Sequence, residues 1–167
     1  MIKKVQQWFP LIILVTSVVV AVMAFLPGLA KDDTAIAGFK LAFGGYGKDN
    51  FLGVKDAGFS FPNFLAYFGP VVIAIVVAIL GALDKNTGII KLVLGFVTAA
   101  MFVLAVIFII RLSEGAYTQV TVLGSTVKTT LKSLDFKLAW GAIVALIAAI
   151  LGAVASTGYA FMQVMEK

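Results

Sequence analysis

An all-α transmembrane fold, a four-helix bundle capped by a small extracellular β-sheet built from two outer loops, is what this sequence predicts. Three observations carry that prediction. Hydrophobic residues fill 62% of the 167 positions and charged residues only 13%, about half the charged share of an average soluble domain. Hydropathy gathers in four segments, about 8–29, 61–83, 89–110 and 138–162, each near the ~20 apolar residues that cross a bilayer. No Asp, Glu, Lys, Arg or His interrupts them between Lys91, at the inner edge of the third segment, and Arg111, at its outer end. The remaining loops, 30–60 and 111–137, are too short to bury a core of their own, so residues 1–167 read as one membrane domain.

The first segment follows the cationic start "MIKK" and ends near the small-x-small triplet Gly28-Leu29-Ala30, features also found in a cleaved secretory signal. Its apolar run exceeds the usual ~7 to 15 residues of a signal core, so retention as a first span is expected. In the first loop, "GFKLAF" alternates Phe39, Leu41 and Phe43 with Lys40 and Ala42, the period-two pattern of a half-buried strand. "GGYG" breaks it, and "GFSFPNF" offers a second extended piece before Pro62. Asp84, Asn86 and Gly88 make a tight turn that joins the second and third segments as an antiparallel helical hairpin.

In the second loop, "YTQVTVLGSTVKTTL" reads as a hairpin turning at Gly124-Ser125, which sets Val122 opposite Val127 and Val120 opposite Thr129. A lone hairpin is marginal. It is therefore expected to join the first-loop strands in one sheet over the helix ends.

The fourth segment carries small residues at every fourth position: Gly141, Ala145, Ala149, Ala153 and Thr157 in one row, Ala148, Gly152, Ser156 and Ala160 in another. In lipid no hydrophobic force drives helices together, and small residues four apart let backbones approach closely. Two rows imply two neighbours, with Gly81, Ala78 and Ala74 of the second segment and Gly95 and Ala99 of the third contributing. One row can serve the fold and the other a second subunit.

Lys3, Lys4, Lys85, Lys91 and Lys167 fall on one side of the bilayer and eight basic residues, spread through the two long loops, on the other. Short juxtamembrane clusters weigh most in the positive-inside rule. Both termini are accordingly expected in the cytoplasm, in a multi-pass protein of the plasma membrane. The net charge of +5 is spread over helix ends and loops, where it anchors spans to anionic headgroups rather than to nucleic acid.

The chain has neither Cys nor His, which removes disulfides, thiolate ligands and the commonest general base and metal ligand. Asp32, Asp33, Asp49 and Asp56 match no calcium loop and read as solvated charges. No nucleophile, zinc, phosphate-loop or dinucleotide motif occurs. No catalytic residue, cofactor or metal is expected, and an enzyme is not expected. The hydroxyls of Thr16, Ser17, Thr98, Ser156 and Thr157 either bond back to helix carbonyls or line an uncharged path.

Trp8, Tyr67, Trp140 and Tyr159 fall where interfacial aromatic belts belong. The first loop adds Phe39, Phe43, Tyr46, Phe51, Phe59 and Phe61, more rings than a solvated loop would carry. They form either the core of the sheet or a surface that meets a partner or the membrane.

Four spans, inner termini, a longer first and shorter second outer loop and an outer sheet resemble the claudin-type tetraspan layout. Claudins carry Trp and paired Cys in the first outer loop; this loop has neither, so no residue role is carried over. The Cys-free text rich in Phe, Ile and Val is also similar to small uncharacterised four-span membrane proteins of low-GC Gram-positive bacteria, a resemblance that implies no activity. The functional expectation is a structural, assembly or accessory subunit, acting through helix packing and its outer loops on a homo-oligomer or a membrane-protein partner. The alternative is an oligomeric channel or transporter component with an uncharged pathway.

Overall fold

The computed structural model describes residues 8–45, 55–56, 58–83, 88–122 and 125–165. Its body is a ring of four long helices: α1 (Trp8–Met23), α3 (Phe61–Leu83), α4 (Gly88–Ile110) and α5 (Trp140–Met165), with the one-and-a-half-turn helix α2 (Gly38–Phe43) between the first two. α5 packs against α4 and α1, and α3 packs against the other side of both. Among the described residues two helices, over Lys91–Ile110 and Trp140–Met162, are long and apolar enough to cross a membrane. α1 and the apolar stretch Phe61–Val77 of α3 are shorter, so four spans were expected and two meet the length.

The first segment was expected to run to residue 29, but α1 stops at Met23. Pro27 has no amide hydrogen and cannot continue a helix. Ahead of it the chain tightens: the amides of Ala24, Phe25 and Leu26 donate to the carbonyls of Ala21, Val22 and Met23 at 3.1 to 3.2 Å, the three-residue closure typical of a helix end. Pro27 then opens strand β1.

The strands lie at one end of the ring, in two sheets rather than the single one expected. β1 (Pro27–Lys31) pairs antiparallel with β2 (Thr34–Ala37) on one side and β6 (Lys137–Leu138) on the other. β4 (Tyr117–Val122) lies between β3 (Lys55–Asp56) and β5 (Ser125–Thr130). The division follows the helices beneath. β1 leaves α1 and β6 enters α5, which are neighbours; β3 precedes α3 and β4 leaves α4, which are neighbours too.

The second-loop hairpin forms with a different register. Val120 faces Val127 and Val122 faces Ser125, so Ser125, expected in the turn, belongs to β5, and Gly124 lies outside the described residues. Pairing has shifted by two positions, and because side chains alternate with period two, the same residues still share each face.

"GFKLAF" was expected as a strand and is helix α2. Over six residues the two patterns overlap: Phe39 and Phe43 are four apart and share a helix face, leaving Gly38, Leu41 and Ala42 to be buried on the other. The tertiary structure decides between them, because the amides of Gly38 and Phe39 are taken by the carbonyls of Leu26 and Ala24 just past α1. The second extended piece also falls elsewhere. β3 is at Lys55–Asp56, and Phe61 already begins α3.

Candidate functional site

Both small-residue rows of α5 are used inside the chain. Gly141, Ala145, Ala148, Ala149, Gly152, Ser156 and Ala160 are buried, and Ala153 is half-buried. A Cβ on Gly141 would stand 2.6 Å from the Pro27 carbonyl and 3.0 Å from Leu26 Cβ, at the α1–β1 junction. The ring of Phe102 on α4 fills the space beside Gly152, and a Cβ on Gly95 of α4 would meet that of Ala160 at 3.0 Å. The row of Ala148, Gly152, Ser156 and Ala160 therefore meets α4 of the same chain. Gly81 lies on α3, with its surroundings outside the described residues.

The buried hydroxyls bond back to their own helices. Thr16 donates to the carbonyl of Ile12 at 2.8 Å, Ser17 to Leu14 at 2.8 Å, Thr98 to Leu94 at 2.8 Å, Ser156 to Gly152 at 2.7 Å and Thr157 to Ala153 at 2.8 Å. Each spends its donor locally, as hydroxyls in apolar helices do.

The first-loop rings assemble at the capped end, on the flank of α2 and α3 rather than inside a sheet. Phe25 stacks on Phe39 at 5.7 Å, Phe39 meets Phe43 at 4.8 Å, and Phe43 contacts Phe59, Phe64 and Phe68 at 6.0, 5.7 and 5.7 Å. Phe59 and Phe68 each also lie against Phe64, at 5.7 and 5.4 Å. These separations and tilts fall in the range that aromatic pairs prefer. The ladder is not a sealed core: Phe25, Phe39, Phe43 and Phe59 are 65%, 41%, 44% and 57% exposed. Tyr46 and Phe51 lie outside the described residues.

Two glycines hold the ladder's loop shut. Gly44 has φ of +86°, in the region that glycine alone enters freely, and a Cβ there would stand 2.9 Å from Gly58 Cα. The chain leaving α2 thus touches the chain returning to α3. The Ser60 amide then donates to the Ala42 carbonyl at 2.8 Å, and its hydroxyl donates to the Gly115 carbonyl at 2.7 Å. Phe59 is thereby placed beside Phe43.

Sequence reasoning passed over Asn63, which is fully buried in the first turn of α3. Its side-chain amide donates to the carbonyls of Leu41 at 3.1 Å and Leu112 at 3.5 Å, tying α2, α3 and the end of α4 together. An Asn inside an apolar segment was the available signal. Tyr67, one turn on, was expected at the interface and is instead fully buried. Its hydroxyl sits against Gly28 and its ring against Gly38, where Cβ atoms would come within 2.8 and 2.6 Å of them. Trp8 and Trp140 remain at the surface.

Outside the bundle, Lys132 donates to Glu114 at 2.6 Å and Arg111 lies 3.8 Å from the same carboxylate. The Lys132 hydrogen bond and charge hold the Glu114 carboxyl below its ordinary range. Among the described residues no group of three or more His, Cys, Asp or Glu is placed to hold a metal ion. No protein-family model, curated protein or solved structure matches the chain.

Proposed function

We propose that this chain is a multi-pass integral protein of the plasma membrane that acts without catalysis, as an assembly or accessory subunit meeting a membrane-protein partner through its phenylalanine ladder. The polarity of the bundle supports the membrane reading. Its interior mixes Gly, Ala, Ser and Thr with large side chains such as Phe102 and Ile109, and its outer surface is apolar as well, with Ile147 and Val154 of α5 54% and 66% exposed. Such a surface is costly in water and at home in hydrocarbon. Apolar outer faces on α1 and α3 as well as on α4 and α5 support four spans, with tilt or local thinning accommodating the shorter helices. Both termini would then be cytoplasmic and the two sheets outside.

The observation that carries the partner reading is the ladder itself. Six rings form one run of contacts, with the approach of Gly44 to Gly58 bringing Phe59 to Phe43, yet four stay more than 40% exposed. Rigid aromatic area held ready at a boundary is what interface hot spots are made of. The alternative, an uncharged path through an oligomer, gains no support from hydroxyls that are all bonded to their own helices.

The test is purification in gentle detergent of the wild type and of Phe39→Ser and Phe59→Ser. The reading expects a defined larger assembly from the wild type and its loss in the variants without a fall in melting temperature. A strictly monomeric wild-type particle with no co-purifying protein would sink it.

A further inference from the structure

A groove of about 410 Å³ enters the bundle between α1 and α3, at the end opposite the sheets. Its volume lies within the roughly 300–1,000 Å³ of small-molecule sites. The floor is made of Ile13, Ala74, Gly95 and Thr98, all buried, and the rim includes the exposed side chains of Leu11 and Leu14. Ala74 and Gly95 line the groove with almost no side chain, and Gly95 also lies against Ala160 of α5. No charged residue lines it; its two hydroxyl-bearing lining residues are Thr98, whose hydroxyl is committed to the Leu94 carbonyl at 2.8 Å, and Tyr159. The floor therefore offers nothing to a headgroup and dispersion contacts to a hydrocarbon chain.

What stands at the mouth selects the occupant. Lys91 is exposed and precedes Gly95 by one turn and Thr98 by two. Residues spaced i, i+4 and i+7 share a helix face, so Lys91 stands on the face of α4 that carries Gly95 and Thr98, one turn nearer the helix start, and Trp8 is exposed at the start of α1. A cation at the inner edge of a cleft between helices attracts an anionic headgroup. Leu11 and Leu14 are continuous with the apolar outer surface of α1, so a chain can enter sideways from the bilayer.

We propose that this groove seats one acyl chain of an anionic phospholipid from the inner leaflet, with its phosphate paired to Lys91. The inference rests on the membrane reading above and is independent of the ladder.

The test uses the full chain. Recovery from alkali-washed membranes comes first, and a chain found in the soluble fraction would overturn the membrane reading before any lipid is added. On protein purified in detergent, native mass spectrometry and melting temperature are then followed with phosphatidylglycerol, with phosphatidylcholine of the same acyl chains, and with inorganic phosphate. The expected result is one retained phosphatidylglycerol and a larger rise in melting temperature than with phosphatidylcholine. Lys91→Gln, an exposed change that leaves the core intact, should weaken phosphatidylglycerol by about tenfold, the scale of one hydrogen bond to a charged group, and abolish the preference. Ala74→Phe, which fills the floor, should weaken both lipids. Equal binding of the two lipids by the wild type, an unchanged preference in Lys91→Gln, or an equal response to inorganic phosphate would each overturn the proposal.

Discussion

The ring of Phe102 on α4 occupies the space in which a side chain on Gly152 of α5 would stand, so these two residues set how closely the helices approach. Phe102 is fully buried and its ring would have to shift to admit a Cβ. Gly152→Ala should therefore destabilise the bundle by about 1 to 3 kcal/mol through overpacking, partly offset by the better helix propensity of alanine. Thermal unfolding in detergent measures it, and a Phe102→Leu second change should restore most of the loss. Because the contact is within one chain, the oligomeric state should not change.

Asn63 and Tyr67, one turn apart on α3, should respond in opposite ways to removal of their polar atoms. Asn63→Ala takes the donor away from the Leu41 and Leu112 carbonyls, and a buried group left short of a partner costs about 1 to 3 kcal/mol. No hydrogen-bonding group among the described residues reaches the Tyr67 hydroxyl. Tyr67→Phe keeps the ring that Gly38 accommodates and should leave melting temperature unchanged or raised. A clear fall in Tyr67→Phe would show that the hydroxyl has a partner.

Glu114 makes the cap weakly sensitive to acid. The Lys132 hydrogen bond, then its charge, lower the carboxyl from its ordinary range, with Arg111 adding a smaller pull. A carboxylate depressed in the folded state contributes stability that is complete above its unfolded pKa and is lost as pH falls through the folded value. The wild type should therefore melt slightly above Glu114→Gln at pH 7, with the gap closing below the ordinary carboxylate range. Both side chains are exposed, so the gap is small and should also shrink in high salt.

Sidedness is accessible because the chain has no cysteine. In intact cells, a thiol reagent that cannot cross membranes should label Ser125→Cys and Gly47→Cys and spare Asn86→Cys. The reverse pattern would put both sheets in the cytoplasm and invert the orientation argued from the clustered lysines.

The small rows on α5 were legible in the sequence, because a four-residue spacing of Gly, Ala and Ser has a direct geometric meaning on a helix. Their partner was not. Spacing says that a flat face will meet something, and only the docked helices show Phe102 and Leu26 as what it meets. The ladder was half legible. Phe39, Phe43 and Phe59 stood out by number, but Phe64 and Phe68 read as ordinary span residues until α2 came to lie against α3.

Local chemistry was enough for what depends on neighbours along the chain: where the apolar segments lie and how the hairpin's residues divide between two faces. The tertiary structure decided everything that depends on neighbours in space. It made "GFKLAF" a helix, by offering the Gly38 amide the Leu26 carbonyl at 3.1 Å. It split the strands into two sheets according to which helix ends lie side by side, and it placed Asn63 within reach of two distant carbonyls. Periodicity is a property of one segment and can be read from it. Pairing joins segments far apart in sequence, and the contact that decides it exists only once both have been brought together.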